Sequence, residues 1–243
     1  MAVPRFHVAV RLSPASLCTL PAEAARHAAQ VLRLRTGDAL VLFNGEGGEY
    51  SAHIEDIRRG EVLVRVLAHS AVERESTLQV HLAQGISSGE RMDYTLQKAV
   101  ELGVASIQPL AMLRSVVKLD AERARKRTVH WQHVVSAACE QCGRNRVPEV
   151  SPPLALEQWL AAQPSGDKLI LAPEGDMGLA TVAPPAGPLW LFAGPEGGFD
   201  ERESALARAA GFRPLRLGPR ILRTETAALA ALAALQALWG DFR

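Results

Sequence analysis

Two short apolar runs each end in a glycine-proline turn, and no other feature of the chain restricts its possible folds as strongly. Leu189-Trp190-Leu191-Phe192-Ala193 runs into Gly194-Pro195-Glu196-Gly197-Gly198-Phe199. The shorter run 214–217 leads into Gly218-Pro219-Arg220-Ile221-Leu222-Arg223-Thr224-Glu225-Thr226-Ala227 and then a long alanine-leucine segment. A turn at the end of a strand exposes backbone amides and carbonyls, and open α/β sheets hold their ligands there. The pair therefore points to one small-molecule pocket built mostly from main chain. Neither turn has the spacing of a dinucleotide fingerprint or of a phosphate loop, which argues against a kinase or a dehydrogenase. An adenosine with an amino-acid end fits better, because adenine edges pair with backbone groups and a zwitterionic tail needs few polar partners. Glu196 and Glu225 lie in the two turns, where each is either a general base or orienter, or simply a turn-stabilising cap.

The rest of the pattern falls into two parts. Up to about residue 72 the chain reads as β-rich. Phe6–Leu12 alternates like a strand, 21–32 reads as a short helix, and Ala39–Phe43 leads to the hairpin dipeptide Asn44-Gly45. Strands over 49–57 and 61–68, joined at Arg58-Arg59-Gly60, complete what looks like a small barrel. The polar stretch 72–77 reads as a linker. Beyond it strands alternate with helices: strands near 78–83, 106–110, 168–172, 189–193 and 214–217, and helices near 90–102, 121–142, 154–162, from the capping pair Asp200/Glu203 to Gly211, and 226–239. That alternation implies a parallel sheet covered on both faces. The last helix is apolar nearly all round, so it is either a core helix or a subunit interface.

Charge is informative only locally. The formal net charge is +1, yet the segment 114–146 holds eight basic residues against three acids. It reads either as a phosphate-neutralising patch or as a solvated helix face. Three cysteines argue against a secreted disulfide framework. His130, His133, Cys139 and Cys142 lie on one continuous helical pattern, where an unmetallated helix outweighs a zinc site. No apolar run is long enough to span a membrane and the N-terminus lacks a signal-peptide layout, so a cytoplasmic protein is expected.

Taken with their neighbours, the turns resemble the bacterial ribosomal RNA small-subunit methyltransferase E family. The resemblance rests on an ordered set over nearly the full length. It begins with Arg5-Phe6-His7, His27-x-x-x-Val31-Leu32-Arg33 and Gly37-Asp38, and continues through Glu90-Arg91-Met92-Asp93, Gln97-Lys98-Ala99-Val100-Glu101-Leu102-Gly103, Arg114-Ser115 and Glu140-Gln141-x-Gly143-Arg144. The two glycine turns end it.

The resemblance implies an α/β protein with an N-terminal PUA-like β-barrel over 1–72 and a C-terminal SPOUT domain over 73–243. The latter would carry a deep trefoil knot, an exception to the rule that chains avoid threading. The implied activity is methylation of N3 of a uridine in 16S ribosomal RNA, on free RNA or on the small ribosomal subunit; a non-catalytic RNA-binding assembly factor is the alternative. S-adenosylmethionine would sit against Ala172, Gly194, Pro195, Glu196, Gly197, Leu217, Gly218, Ile221, Leu222, Thr224 and Ala227, with no metal. Arg223 and Glu225 are the expected catalytic pair. Arg144 and Asn145 would orient the base or its phosphate from the partner subunit of an antiparallel homodimer. Arg5, His7, Arg33, Arg35, Arg114, Lys118 and Arg146 are the expected RNA contacts.

Overall fold

The computed structural model describes residues 3–162 and 164–242. They form two compact units. The first holds the chain up to Glu75 together with Ser136–Val147, and the second holds Ser76–Val135 and the chain from Pro148 onward. The units are therefore not two consecutive pieces of sequence.

In the first unit, β1 (Arg5–His7) pairs in parallel with β3 (Ala39–Phe43). β4 (Glu49–Arg58), β5 (Glu61–Ser70) and β2 (Leu17–Thr19) add antiparallel, giving a five-stranded mixed sheet of order β1-β3-β4-β5-β2. The alternation that marks β5 as a strand turns Val62, Val64 and Val66 into the core, where Ile54 of β4 and Leu40 and Leu42 of β3 meet them. A short helix α1 (Ala22–Arg26), extended by a π-helical turn over His27–Val31, adds Ala25 and Ala28. The expected strand over 6–12 ends at His7. Phe6, Val8 and Leu12 are all buried, but past Val8 the backbone turns on itself, with the Val10 N–H donating to the Val8 carbonyl. Apolar alternation there reports burial rather than strand pairing.

The second unit is built on an all-parallel sheet. Its elements, in chain order, are β6 (Val80–Gly85), α2 (Gly89–Glu101), β7 (Val104–Ala111), α3 (Ala121–Cys142, whose last turns belong to the first unit), β8 (Glu149–Val150), β9 (Leu154–Ala155), α4 (Leu156–Ala161) and β10 (Asp167–Leu171). β11 (Met177–Gly178), β12 (Leu189–Ala193), α5 (Glu201–Ala209), β13 (Arg213–Arg216) and α6 (Thr224–Trp239) follow. The order is β11-β13-β10-β12-β6-β7-β8, with β9 also on β7. Ala83, Leu110, Ile170 and Phe192 pack with Trp159 and Leu160 of α4, Ala207 of α5 and Phe212. α2 and α6 pack on each other, and on β7 and β12 respectively. Among the described residues no helix is long and apolar enough to cross a membrane.

The last helix resolves into two faces. Ala228, Ala231, Leu232, Leu235 and Gln236 are buried, whereas Thr226, Ala230, Ala237 and Leu238 are exposed. Gln236 anchors its end: its Oε1 accepts from Ser76 Oγ at 2.7 Å and its amide donates to the Leu102 carbonyl at 3.2 Å.

The capping box read at Asp200 and Glu203 is present. Glu203 is also buried, and its second oxygen accepts from the Leu113 N–H at 2.7 Å, which ties the segment after β7 to α5. Asp200→Ala should cost about 1 kcal/mol, the usual worth of a cap. Glu203→Ala, which strands two backbone N–H donors, should cost about 2–3 kcal/mol. Urea denaturation of both variants checks the order; equal losses would mean the Leu113 bond contributes nothing.

Candidate functional site

The strand order creates the site. β10 lies between β13 and β12, so the connection from β12 to β13 steps across it. Ligands bind at such a reversal, outside the carboxyl ends of the strands. Here a cavity of about 500 Å³ lies beyond the ends of all three strands, within the usual range for small-molecule sites. The turns after β12 and β13 line it, and so does a third segment, Ala172-Pro173-Glu174 after β10.

A buried polar clamp joins the two glycine turns. The Thr224 hydroxyl donates to the Gly194 carbonyl. It accepts from Gln84 Nε2 at 3.0 Å, and the same amide reaches the carbonyls of Gly85 at 3.0 Å and Gly194 at 3.3 Å. Gln84 is fully buried at the end of β6 and Thr224 opens α6. Three elements thus meet on one hydroxyl.

Two glycines are required by the backbone. Gly218 has φ +76°, the left-handed region that other residues enter only with strain. At Gly197 a Cβ would fall 2.8 Å from both Cβ and the carbonyl oxygen of Arg114, so the turn can press on that segment only without a side chain. Gly197 accordingly serves packing and is not among the residues lining the cavity. The other ten cofactor positions expected from the sequence all line it: Ala172, Gly194, Pro195, Glu196, Leu217, Gly218, Ile221, Leu222, Thr224 and Ala227.

The charged lining is balanced, with Arg91, Arg220 and Arg223 against Glu174, Glu196 and Glu225. This suits a ligand that carries both signs better than a polyphosphate. Glu196 Oε1 accepts from the Ser88 N–H at 2.7 Å and faces Arg91 at 3.4 Å. Burial pushes its carboxyl up, but the Ser88 bonds and the Arg91 charge outweigh that and hold it below its ordinary value. Its other oxygen, and Oε2 of Glu225, are shielded from solvent and have no partner among the described residues. Two orphan carboxylate oxygens are matched by a ligand that donates hydrogen bonds or carries positive charge.

The remaining expected residues lie elsewhere. Arg144 and Asn145 do not line the cavity and belong to the first unit, where both are buried. Arg144 holds Glu75 through Nε and Nη2, at 3.1 and 2.5 Å. Asn145 donates to the Val72 carbonyl at 2.7 Å and accepts from Arg5 at 2.6 Å. Arg5 is also committed to Glu49 at 2.5 Å, and the His7 N–H to Glu140 at 2.8 Å. Arg33, Arg35 and Arg146 are exposed on the same unit. Arg114 and Lys118 are exposed on the second unit; the Lys118 ammonium donates to the carbonyls of Met112 and Leu113. Cys139 is buried, which pushes its thiol up to about 12 and makes it a poor ligand and nucleophile.

Sequence reasoning missed Arg91, Pro173, Glu174 and Arg220 in the lining. Pro173-Glu174-Gly175 repeats the triplet Pro195-Glu196-Gly197, a signal that was legible after a strand. Arg91 arrives from α2, within the motif Glu90-Arg91-Met92-Asp93 that the sequence does show, but nothing local says that it reaches this cavity.

An RNA methyltransferase domain model matches residues 74–236, and an RNA methyltransferase PUA domain model matches residues 20–67. Ribosomal RNA small subunit methyltransferase E of Buchnera aphidicola (from Acyrthosiphon pisum) is 32% identical over 99% of this chain and 96% of its own. The Bacillus subtilis protein of the same name is 31% identical over 93% and 91%. Among solved structures, a ribosomal RNA small subunit methyltransferase E from Neisseria gonorrhoeae bound to S-adenosyl methionine superposes with a TM-score of 0.92, at 43% identity over the whole of both chains. A Legionella pneumophila protein in complex with the same cofactor gives 0.96, also at 43% identity and full coverage.

Thr224→Val keeps the shape and removes the clamp. Unfolding free energy should fall by about 1–3 kcal/mol, because Gln84 and the Gly194 carbonyl lose a buried partner; an unchanged denaturation midpoint would make the clamp incidental. Glu196 has a depressed folded value, so its carboxylate stabilises the fold above its ordinary 4.5 and loses that effect as pH falls through the folded value. Glu196→Gln should therefore be less stable than the parent at pH 7, with the two curves converging in acid. Parallel curves from pH 7 to pH 3 would contradict the assignment.

Proposed function

This chain belongs to the ribosomal RNA small subunit methyltransferase E family, and on that premise we propose that it transfers the methyl group of S-adenosylmethionine to N3 of a uridine in 16S ribosomal RNA. The observation that carries the reading is the cavity at the ends of β13, β10 and β12. It has the volume, the main-chain donors and acceptors, and the unpartnered Glu196 and Glu225 oxygens that a zwitterionic, cationic adenosine derivative needs. The residues fit that group. Adenine would be held by the main chain of 194–196 and 217–222, and the positively charged end would face Glu196.

When bound, the sulfonium supplies an already activated methyl, so the chain's own residues have three tasks. They must bring the base in line, exclude water and deal with the N3 proton. Arg223 precedes α6 on the rim of the cavity, is exposed, and suits the negative charge that develops on the uracil oxygens. Glu225, the second residue of the helix, would take the N3 proton; its unpartnered Oε2 supports that role. N3 is hidden in a base pair, so the target must be unpaired or extruded.

The finer architecture belongs to the same proposal. After β13 the chain must return past β10 to reach α6, which packs on β12 and α2. That return supports a trefoil knot of the SPOUT type, with the loop 217–223 threaded. The mixed sheet of the first unit, within which the PUA model matches, supports a PUA-like barrel that binds RNA. The exposed small-residue face of α6 supports an antiparallel homodimer in which Arg144 and Asn145 approach the partner's base. A ribosomal substrate supports a cytoplasmic location.

The test is transfer of labelled methyl from S-adenosylmethionine to small-subunit RNA or particles, followed by mass mapping of the modified nucleotide. Arg223→Ala should lower kcat by about a hundredfold while cofactor affinity by calorimetry changes little. Equal loss of both would make Arg223 a cofactor ligand, and a methyl on any position other than uridine N3 would refute the stated specificity.

A further inference from the structure

A second, much smaller notch in the same unit borders a buried hydrogen-bond donor that has no partner among the described residues. It lies between the start of α2 and α3, and its polar lining is Ser87, Gly89, Arg127 and Trp131. Its free volume of about 10 Å³ has room for one oxygen atom. Trp131 is 2% exposed, and its indole N–H is shielded from solvent and donates to nothing among the described residues. A buried N–H without an acceptor is costly, and a native structure keeps one where something outside the chain satisfies it.

The start of α2 faces the same way chemically. Its first bond of the helical ladder is Met92 N–H to the Ser88 carbonyl, and Ser88 makes no side-chain cap. The amides of Gly89, Glu90 and Arg91 are therefore left as donors at the positive end of a thirteen-residue helix. Gly89 presents no side chain, and the position its Cβ would take lies 4.0 Å from Arg127 Nη1. Arg127 is exposed and makes no ion pair among the described residues, whereas Arg123 and Lys126 beside it are paired with Asp120 and Glu122. Of the acids on these elements, Glu196 is engaged by the Ser88 N–H and Arg91, and Asp93 of α2 is bonded through Oδ2 to His130 of α3 at 2.7 Å.

We propose that this notch is a phosphate site: one non-bridging oxygen of an RNA backbone phosphate enters it to accept from the Trp131 indole and the Gly89 amide, and the Arg127 guanidinium covers the rest of the charge. The inference rests on the RNA-methylating reading of the large cavity. It adds a contact that positions the RNA by its backbone and reads no base. Arg127 is a positioning residue that does not line the large cavity, and its loss acts on RNA affinity and not on cofactor affinity.

Three measurements on the full-length protein decide it. In Arg127→Ala, affinity for the RNA substrate should fall about tenfold and the slope of log affinity against log salt should shrink by roughly one phosphate's worth. S-adenosylmethionine affinity and kcat at saturating RNA should be retained, and Arg127→Lys should restore part of the loss. In NMR spectra, the indole N–H resonance of Trp131, assigned by its absence in Trp131→Phe, should shift on addition of a short ribo-oligonucleotide, and more weakly with inorganic phosphate. No shift with either probe would mean that the notch holds a water molecule only and would overturn the proposal. Unchanged RNA affinity and salt slope in Arg127→Ala, with methyl transfer intact in the parent, would overturn the phosphate site alone. A parent protein that neither binds nor methylates RNA would remove the functional reading together with it.

Discussion

One buried hydroxyl holds the site together. Thr224 sits where the loop after β13 becomes α6, and its oxygen is bonded at once to the turn after β12 and to the end of β6. Without that junction the two glycine turns would be independent surface loops. With it, a cavity stands between them. Gln84 and Thr224 are buried, so a bond lost between them is not replaced by water.

The rest of the site follows from close approach around that junction. Gly197 lets its turn press on the backbone of Arg114, and Glu203 holds the amide of Leu113 next to it. The segment 113–118, which carries exposed Arg114 and Lys118, is thereby fixed to α5 and to the turn. Glu196 reaches from that turn to the start of α2. The start of α2 borders both spaces: Arg91 lines the large cavity and Gly89 lines the small notch.

Much of this was legible in the residues. β3, α3 and β12 have the bounds that pattern alone assigns them, because each combines a clear period with a clear stop. The Asp200/Glu203 cap was readable for the same reason: it is local chemistry over three residues. The strand read over 6–12 stops at His7, because alternation reports burial and cannot report whether a partner strand is there. Arg5, Arg144 and Asn145 show a different limit. As a charged and polar set they read as RNA and base contacts; the bonds they make to one another and to Glu49, Glu75 and Val72 in the first unit are announced by no sequence pattern. Sequence gives the type of a polar side chain, not which of its possible partners reaches it first.

The sequence by itself determined the parallel α/β class, the family, the two turns and nearly the whole lining they contribute, because strand-turn-helix chemistry is written in adjacent residues. Only the tertiary structure decided that β10 would lie between β13 and β12, that Arg91 and Glu174 would join the lining, and that Gly197 would serve packing. It alone brought the Trp131 indole to the uncapped start of α2. The physical reason is range. Periodicity and capping act over a few residues, whereas a cavity and its unpartnered groups arise from elements more than a hundred residues apart, as Gln84 and Thr224 are, and depend on the order in which strands pair.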